Sequence, residues 1–135
     1  MRDDLFAEPL VAGVPTAHRL ARRRRLALGD LAGEPWTAPS REGLVARACR
    51  GAGFEPDIAY VTSDPLAIGG LVAAGLAVTL TPKLMAGLLP GVVPIPVEGA
   101  PRRAVYVVSP ARGRHPLVAP FVAALADAAR ARLAA

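Results

Sequence analysis

Apolar and polar positions alternate along this chain with two different periods, and each period predicts one kind of element. Compact apolar runs predict strands, and they lie at residues 9–15, 36–38, 57–62, 77–80, 92–97 and 104–108. Apolar residues at helical spacing predict helices, and they lie at residues 41–51, 65–75, 81–89 and from 116 onward. Because strands and helices alternate, the pattern predicts an α/β domain with a largely parallel sheet.

The helix predicted from residue 116 onward has an apolar stripe along its whole length. The members of this stripe share one face at helical spacing; they are Leu117, Val118, Phe121, Val122, Leu125, Ala129 and Leu133. A stripe of this kind needs an apolar surface to pack against.

Two of the predicted helices begin with residues that favour helix starts. Ser40 is a candidate N-cap for the helix at residues 41–51. The segment 62–65 (TSDP) offers capping hydroxyl and carboxylate groups, followed by proline at the first helical position. Both helices therefore have defined starting points directly after a predicted strand.

The hydroxyl residues at these two strand ends are candidates for ligand binding. In open α/β sheets, ligands bind at the carboxyl ends of strands, facing helix N-termini whose free N–H groups favour anions such as carboxylates. Thr37, Ser40, Thr62 and Ser63 are the candidates, whereas Asp64 would repel an anion. The alternative, that these hydroxyl groups only cap helices, stays open.

Composition narrows the class of protein. With 135 residues, of which 53% are hydrophobic and 20% charged, the chain fits one globular domain and is unlike a disordered protein. The single Cys49 excludes a disulfide framework, and the separation of His18 from His115 argues against a metal cluster. Nucleophile-elbow and phosphate-binding glycine motifs do not occur in the sequence. We therefore predict a protein that is not an enzyme, with no catalytic residue, metal or cofactor.

The net charge of +5 comes from one short segment. Arg19 and residues 22–25 supply five positive charges in a window without an acid, and the remaining chain is formally neutral. A basic run of this kind suggests either a solvated turn or a nucleic-acid patch. Fifteen of the sixteen basic residues are arginine, which resembles a coding bias and favours the solvated turn.

Neither a targeting segment nor a membrane span is predicted. The first four residues, MRDD, are too acidic for the start of a signal peptide. The uncharged stretch 65–82 contains three glycines and is better explained by a helix followed by a buried strand. We expect a cytoplasmic protein with no membrane partner.

Eight segments, taken in order, resemble a known family. They are residues 5–11 (LFAEPLV), 18–22 (HRLAR), 28–36 (LGDLAGEPW), 52–58 (AGFEPDI), 62–64 (TSD), 71–82 (LVAAGLAVTLTP), 103–108 (RAVYVV) and 115–116 (HP). Together they resemble the effector-binding domain of LysR-type transcriptional regulators over almost the whole chain.

The resemblance implies a fold like that of type 2 periplasmic binding proteins, with two α/β lobes joined by a two-strand hinge. Residues 1–19 would be a hinge strand and a remnant of the first lobe, 20–104 the largely complete second lobe, and 105–135 the return hinge strand and the C-terminal helix of the first lobe. The family's winged helix-turn-helix would be missing, so we expect a fragment. The stripe of the last helix would then lack its usual partner, and we expect an exposed patch and self-association.

The resemblance also implies a function. A small organic effector, often a carboxylate, would bind in the cleft between the lobes, against Thr37, Ser40, Thr62 and Ser63, with the hinge residues Pro15 and Ser109 nearby. Binding would change lobe and dimer geometry, and DNA would be reached only through the missing N-terminal domain. The expected protein partner is a second copy or a full-length LysR-type regulator. The alternatives are an interaction module that pairs with a full-length regulator, or a truncated remnant without function.

Overall fold

The computed structural model describes residues 1–134, which divide into two compact units. The central unit is Pro9–Pro101, and the terminal unit combines Met1–Glu8 with the described residues from Arg102 onward. The sequence predicts lobes that divide at residues 19/20 and 104/105, and this division into lobes stays a prediction.

Strands and helices alternate along the central unit. Its strands are β1 (Arg2–Pro15, shared with the terminal unit), β2 (Pro35–Ala38), β3 (Asp57–Val61), β4 (Thr79–Pro82) and β5 (Val92–Pro96). Its helices are α1 (Leu44–Gly51), α2 (Pro65–Ala73) and the short α3 (Lys83–Ala86), with a 3-10 turn at Leu28–Leu31. The strands and helices predicted for this unit are thus present, although β1 starts seven residues earlier than expected, α1 starts three residues later, and α3 spans only Lys83–Ala86 of the predicted 81–89.

The sheet is parallel except for β1. Strand β2 pairs in parallel with β3, and a parallel bridge joins Trp36 to Val78, directly before β4. Strand β1 pairs antiparallel with both β4 and β5. Strands β2 to β5 therefore share one direction, but β4 and β5 never pair with each other because β1 lies between them. The sequence predicts a largely parallel sheet, but the structure places one antiparallel strand, β1, between β4 and β5. The sequence pattern misses this because local apolar patterns do not encode strand direction.

The core of the central unit is built around Trp36, which is fully buried on β2. Its ring lies 6.2 Å from the Phe54 ring, centroid to centroid. Leu10 on β1 and Ile95 on β5 are buried in the same cluster, and α1 contributes Val45, Ala46 and Cys49. This packing fixes the ends of β2 and β3.

The two predicted helix starts have different outcomes. At α2 the prediction is confirmed, because Asp64 Oδ1 accepts a hydrogen bond from Leu66 N (3.0 Å) and Pro65 opens the helix. At α1 the prediction is wrong: the helix begins at Leu44, its N-cap is Gly43, and no side chain caps it. Residues 39–43 form a bend instead, with Ser40 Oγ where a Cβ at Gly43 would lie. A side chain at position 43 would therefore require the Ser40 side chain to move.

The terminal unit consists of the first part of β1, strand β6 (Arg102–Val108) and helix α4 (Val118–Ala134). Met1 and Ser109 exchange two hydrogen bonds, from Met1 N to Ser109 O (2.8 Å) and from Ser109 N to Met1 O (2.9 Å). An ion pair joins Arg103 Nη2 to the buried Glu8 carboxylate (3.3 Å).

Much of the apolar stripe on α4 and just before it is exposed. Leu117, Phe121 and Leu133 are exposed to 67%, 62% and 51%, while Val122 and Leu125 are half-buried. Among residues 1–134, no helix is long and apolar enough to cross a membrane.

Gly91 should tolerate no side chain. Its φ is +74°, and a Cβ there would lie 2.8 Å from Ala73 Cβ of α2, so both backbone strain and a collision oppose substitution. We expect Gly91→Ala to lower the free energy of unfolding by about 1–3 kcal/mol, measured by urea denaturation. The matched control is Gly70→Ala in α2, where open space surrounds the new methyl group. This control should stabilise by about 0.5–1 kcal/mol, and equal effects of the two variants would contradict the account.

The exposed start of the stripe should drive self-association. Leu117 and Phe121 are four residues apart, so they share a face. We expect Leu117→Gln/Phe121→Gln to reduce the oligomer fraction seen by size-exclusion chromatography with light scattering. The control is Leu66→Gln/Leu88→Gln, which removes two equally exposed leucines of the central unit. A monomeric wild-type chain would contradict the prediction.

Candidate functional site

The carboxyl ends of β2 and β3 lie side by side at one edge of the sheet, called the carboxyl edge below. The loops that follow these strands are joined, because Thr62 N donates a hydrogen bond to Ala38 O (3.1 Å). Ser40 and Ser63 are exposed in these loops, and Thr62 is half-buried. The structure therefore brings together the two hydroxyl-rich loops that the sequence indicates.

Thr37 sits just before the carboxyl edge and is held firmly in the sheet. Its N–H donates to Val78 O (3.0 Å), and its carbonyl accepts a hydrogen bond from Thr79 Oγ1 (2.8 Å). The register with β3 shifts at this point, because Trp36 pairs with Ile58 whereas Thr37 pairs with Tyr60. Irregularities of this kind redirect side chains and are frequent next to functional sites.

The Thr37 hydroxyl has no partner. The residue is fully buried, yet Oγ1 makes no hydrogen bond to any atom of the described residues. A buried hydroxyl without a partner costs about 1–3 kcal/mol, and a native structure that keeps one needs a reason for it. A ligand that hydrogen-bonds to this oxygen would be such a reason.

The two helix starts at this edge differ in how they would receive an anion. At α2, the cap is complete: Thr62 Oγ1 accepts from Asp64 N (3.2 Å), and the Asp64 carboxylate occupies the first turn. At α1, no side chain caps the helix and no acid lies in its first turn. Since free N–H groups at a helix start attract anions, the loop after β2 is the better place for a carboxylate.

Arg41 has a positioning role that sequence reasoning missed. Its Nη1 donates to Ile58 O on β3 (2.9 Å), which ties the bend at residues 39–43 to the neighbouring strand. This bend carries Ser40, so Arg41 fixes the loop in which a ligand would lie. The position directly after Ser40 was the only signal in the sequence.

The contacts of the central unit place Pro15 away from the carboxyl edge. Pro15 pairs with Val92, at the start of β5, which is the opposite edge of the sheet. The expectation that it lies near the hydroxyl loops is wrong, because β1 runs antiparallel. Ser109 belongs to the terminal unit, where it is buried and its Oγ has no partner among residues 1–134.

A surface hollow of about 500 Å³ lies elsewhere in the central unit. Its lining comes from three segments rich in small residues: 27–29, residues 48, 51 and 52 of the α1 region, and 97–101. None of the six predicted residues contributes to it. Within residues 1–134, no cluster of three or more His, Cys, Asp or Glu side chains could hold a metal ion.

The solvent side of α1 is organised by Arg50. Its guanidinium binds Glu42 (Nη1 to Oε2, 2.7 Å) and Glu55 (Nη2 to Oε1, 2.7 Å). Hydrogen bonds from Arg50 hold the pKa of both carboxyl groups below its usual value of 4.5, and the pKa of Arg50 is raised in turn by both partners. On the opposite side of α1, burial raises the pKa of the Cys49 thiol to about 11, so this thiol is an unreactive core group.

These features define the class of the protein. The fold is mixed α/β, with one antiparallel strand between parallel ones and polar loops at the carboxyl edge. This is the fold of type 2 periplasmic-binding-protein-like domains. The LysR substrate binding domain family matches residues 2–130. The chain therefore belongs to the LysR substrate-binding domain family.

Individual relatives agree with this assignment. Over 84 residues the chain is 39% identical to the transcriptional dual regulator GltC of Bacillus subtilis (strain 168), covering 58% of this chain and 28% of GltC. Over 90 residues it is 32% identical to the HTH-type transcriptional regulator TtuA of Agrobacterium vitis, covering 62% and 30%. The matches thus span about three tenths of the length of these relatives.

Solved structures show the same fold. The C-terminal domain of a probable LysR family transcriptional regulator from Rhodococcus sp. RHA1 superposes with a TM-score of 0.73 at 23% identity, covering 93% of this chain and 66% of that one. The reduced form of OxyR superposes with a TM-score of 0.65 at 31% identity, covering 98% and 64%.

Removing Arg50 should raise the carboxyl pKa values that depend on it. We expect Arg50→Gln to return the pKa of Glu42 and Glu55 to the ordinary value near 4.5, measured by NMR titration of the side-chain carboxyl carbons. Because these pKa values are lowered in the folded state, their stabilising effect is present above pH 4.5 and is lost as the pH falls through the lowered values. Arg47→Gln on the same helix is the control, and it should leave both pKa values unchanged.

Proposed function

We propose that this chain is the effector-binding part of a LysR-type transcriptional regulator, and that it takes a small organic carboxylate at the carboxyl edge of β2 and β3. The observation that carries the proposal is the buried, unpartnered hydroxyl of Thr37. The names of its relatives, both transcriptional regulators, support the regulatory setting.

The carboxylate class follows from the groups at this edge. A carboxylate only accepts hydrogen bonds, and the donors at this edge are the buried hydroxyl of Thr37 and the exposed hydroxyls of Ser40 and Ser63, together with the uncapped start of α1. Asp64 already fills the start of α2, so it directs an anion towards the loop after β2. Hydrogen bonds to a charged acceptor are about twice as strong as neutral ones.

Regulation would follow from a shift of populations. An effector biases the conformation whose site it fits better, and it can shift that equilibrium only by its difference in affinity between the two states. In the complete regulator this shift would reach DNA through a separate DNA-binding domain, in a homo-oligomer located in the cytoplasm. The chain itself would carry out no catalysis.

A second candidate function is that of an interaction module for another LysR-type chain. The exposure of Leu117 and Phe121 favours it, because exposed apolar side chains on one face are typical of binding surfaces. Co-purification of the chain with a tagged full-length regulator, reduced by Leu117→Gln/Phe121→Gln, would support this function. Unreduced co-purification, or none, would contradict it.

The carboxylate proposal is tested by thermal unfolding with matched pairs of small molecules. The probes are acetate, succinate and glutarate, each compared with its uncharged amide at equal concentration and ionic strength. We expect at least one acid to raise the unfolding temperature in a concentration-dependent way, and its amide to have no effect. Equal shifts for acid and amide, or no shift with any acid, would contradict the proposal.

Thr37→Val separates ligand binding from folding. Because the hydroxyl is unpartnered in the free protein, its removal should leave stability unchanged or raise it by about 1–2 kcal/mol. The same variant should lose most of the carboxylate-induced shift. Thr79→Val is the control, and its effect on stability should be the opposite. The Thr79 hydroxyl donates a hydrogen bond to Thr37 O, so its loss should destabilise the free protein. A destabilised Thr37→Val variant that keeps the full shift would contradict the role given to Thr37.

A further inference from the structure

The arginine turn, residues 19–25, is an ordered part of the central unit. Backbone hydrogen bonds run from Ala21 N to His18 O and from Arg23 N to Leu20 O, both 3.0 Å. Leu20 is buried within the turn, and Leu26 directly after it is buried in the core. The charges of this turn are thus presented from a fixed backbone.

His18 braces the start of the turn. Its Nδ1 accepts a hydrogen bond from Leu20 N (3.0 Å), so the ring proton lies on Nε2, which donates to Glu34 Oε2 (2.6 Å). The His18 side chain is only 8% exposed. A braced turn loses little conformational freedom when it binds, which favours affinity.

The acids near the turn are already occupied. Glu34 contacts His18 and Arg19, the latter at 3.3 Å, and Asp30 Oδ2 lies 3.6 Å from Arg23 Nη1. Arg19 Nη2 also donates to Asp30 O (2.7 Å). Within residues 1–134, the side chains of six exposed arginines make no hydrogen bond or ion pair, and three of them, Arg22, Arg24 and Arg25, lie together in this turn.

We propose that these three arginines bind the phosphate backbone of duplex DNA, without regard to its sequence. The turn lacks what other anionic partners need. Its one leucine, Leu20, is buried, so the turn offers no apolar anchor for a protein interface or a lipid surface. The sequence from residue 7 to residue 35 contains no Phe, Tyr or Trp on which single-stranded bases could stack, and the His18 ring is buried. A surface that offers positive charge but no apolar or aromatic side chain is suited to bind the regularly spaced phosphates of a DNA duplex.

This surface is separate from the effector site. No residue of the arginine turn belongs to the carboxyl edge, and the net charge of +5 derives from the turn. In a DNA-bound regulator, such a contact would add non-specific affinity and hold this domain against the duplex beside the specific site. The proposal uses the family membership for the presence of DNA and does not depend on which effector binds.

The test is the salt dependence of binding to a duplex of random sequence, about 24 base pairs long, followed by fluorescence anisotropy. Three phosphate contacts predict a slope of about −2.7 for log K against log salt, which is a loss of about 40-fold in affinity between 25 and 100 mM salt. We expect Arg22→Ala/Arg24→Ala/Arg25→Ala to flatten this dependence or to abolish binding. Each single substitution should reduce the slope by about one.

The control removes the same charge elsewhere. Arg47→Ala/Arg112→Ala/Arg132→Ala takes away three exposed arginines outside the turn and should keep the wild-type slope. Equal losses in the two triple variants, or no binding of the wild-type chain at 25 mM salt, would overturn the proposal. So would equally tight binding to single-stranded DNA or to polyglutamate. Circular dichroism melts show whether each variant is folded, and the single substitutions decide the case if a triple variant is not.

Discussion

The antiparallel pairing of β1 with β4 and β5 is the constraint on which the rest of this structure depends. Leu10 to Gly13 pair with β4, and Val11 to Pro15 pair with β5. A strand buried between two neighbours uses both of its hydrogen-bonding edges and buries both faces, so its direction is fixed. The four parallel strands on either side then end at one common edge. The loops after β2 and β3 lie at this edge, where Thr62 N donates a hydrogen bond to Ala38 O.

The proposed ligand site depends on an imbalance at the carboxyl edge. The start of α2 is satisfied by Asp64 and Pro65, whereas the start of α1 is left without a cap and the Thr37 hydroxyl is left without a partner. Groups that cost free energy in the empty protein are the ones that reward a ligand when it binds. Two helix starts that look alike in sequence therefore differ in the structure: the start of α2 is capped by Asp64, and the start of α1, which has no side-chain cap, is the proposed place for a ligand.

Sequence patterns predicted most of the elements but not the pairing between them. The cap at Asp64 follows from local chemistry, and the structure confirms it. The cap expected at Ser40 fails because the chain bends through Gly43 before α1 begins, and hydroxyl residues are equally suited to bends and caps. The resemblance implies that Pro15 lies near the hydroxyl loops, but the direction of β1 is set by its contacts with strands more than sixty residues away, and these put Pro15 at the opposite edge.

The central claim is that the carboxyl edge of β2 and β3 is the ligand site, and NMR chemical-shift mapping tests it most directly. A ¹⁵N-labelled sample would be titrated with acetate, succinate and glutarate at constant pH and ionic strength. The account predicts saturable shifts of amide resonances concentrated in residues 37–45 and 62–64. Shifts concentrated around the hollow at residues 27–29 and 97–101, or no saturable shift with any of the three acids, would contradict it.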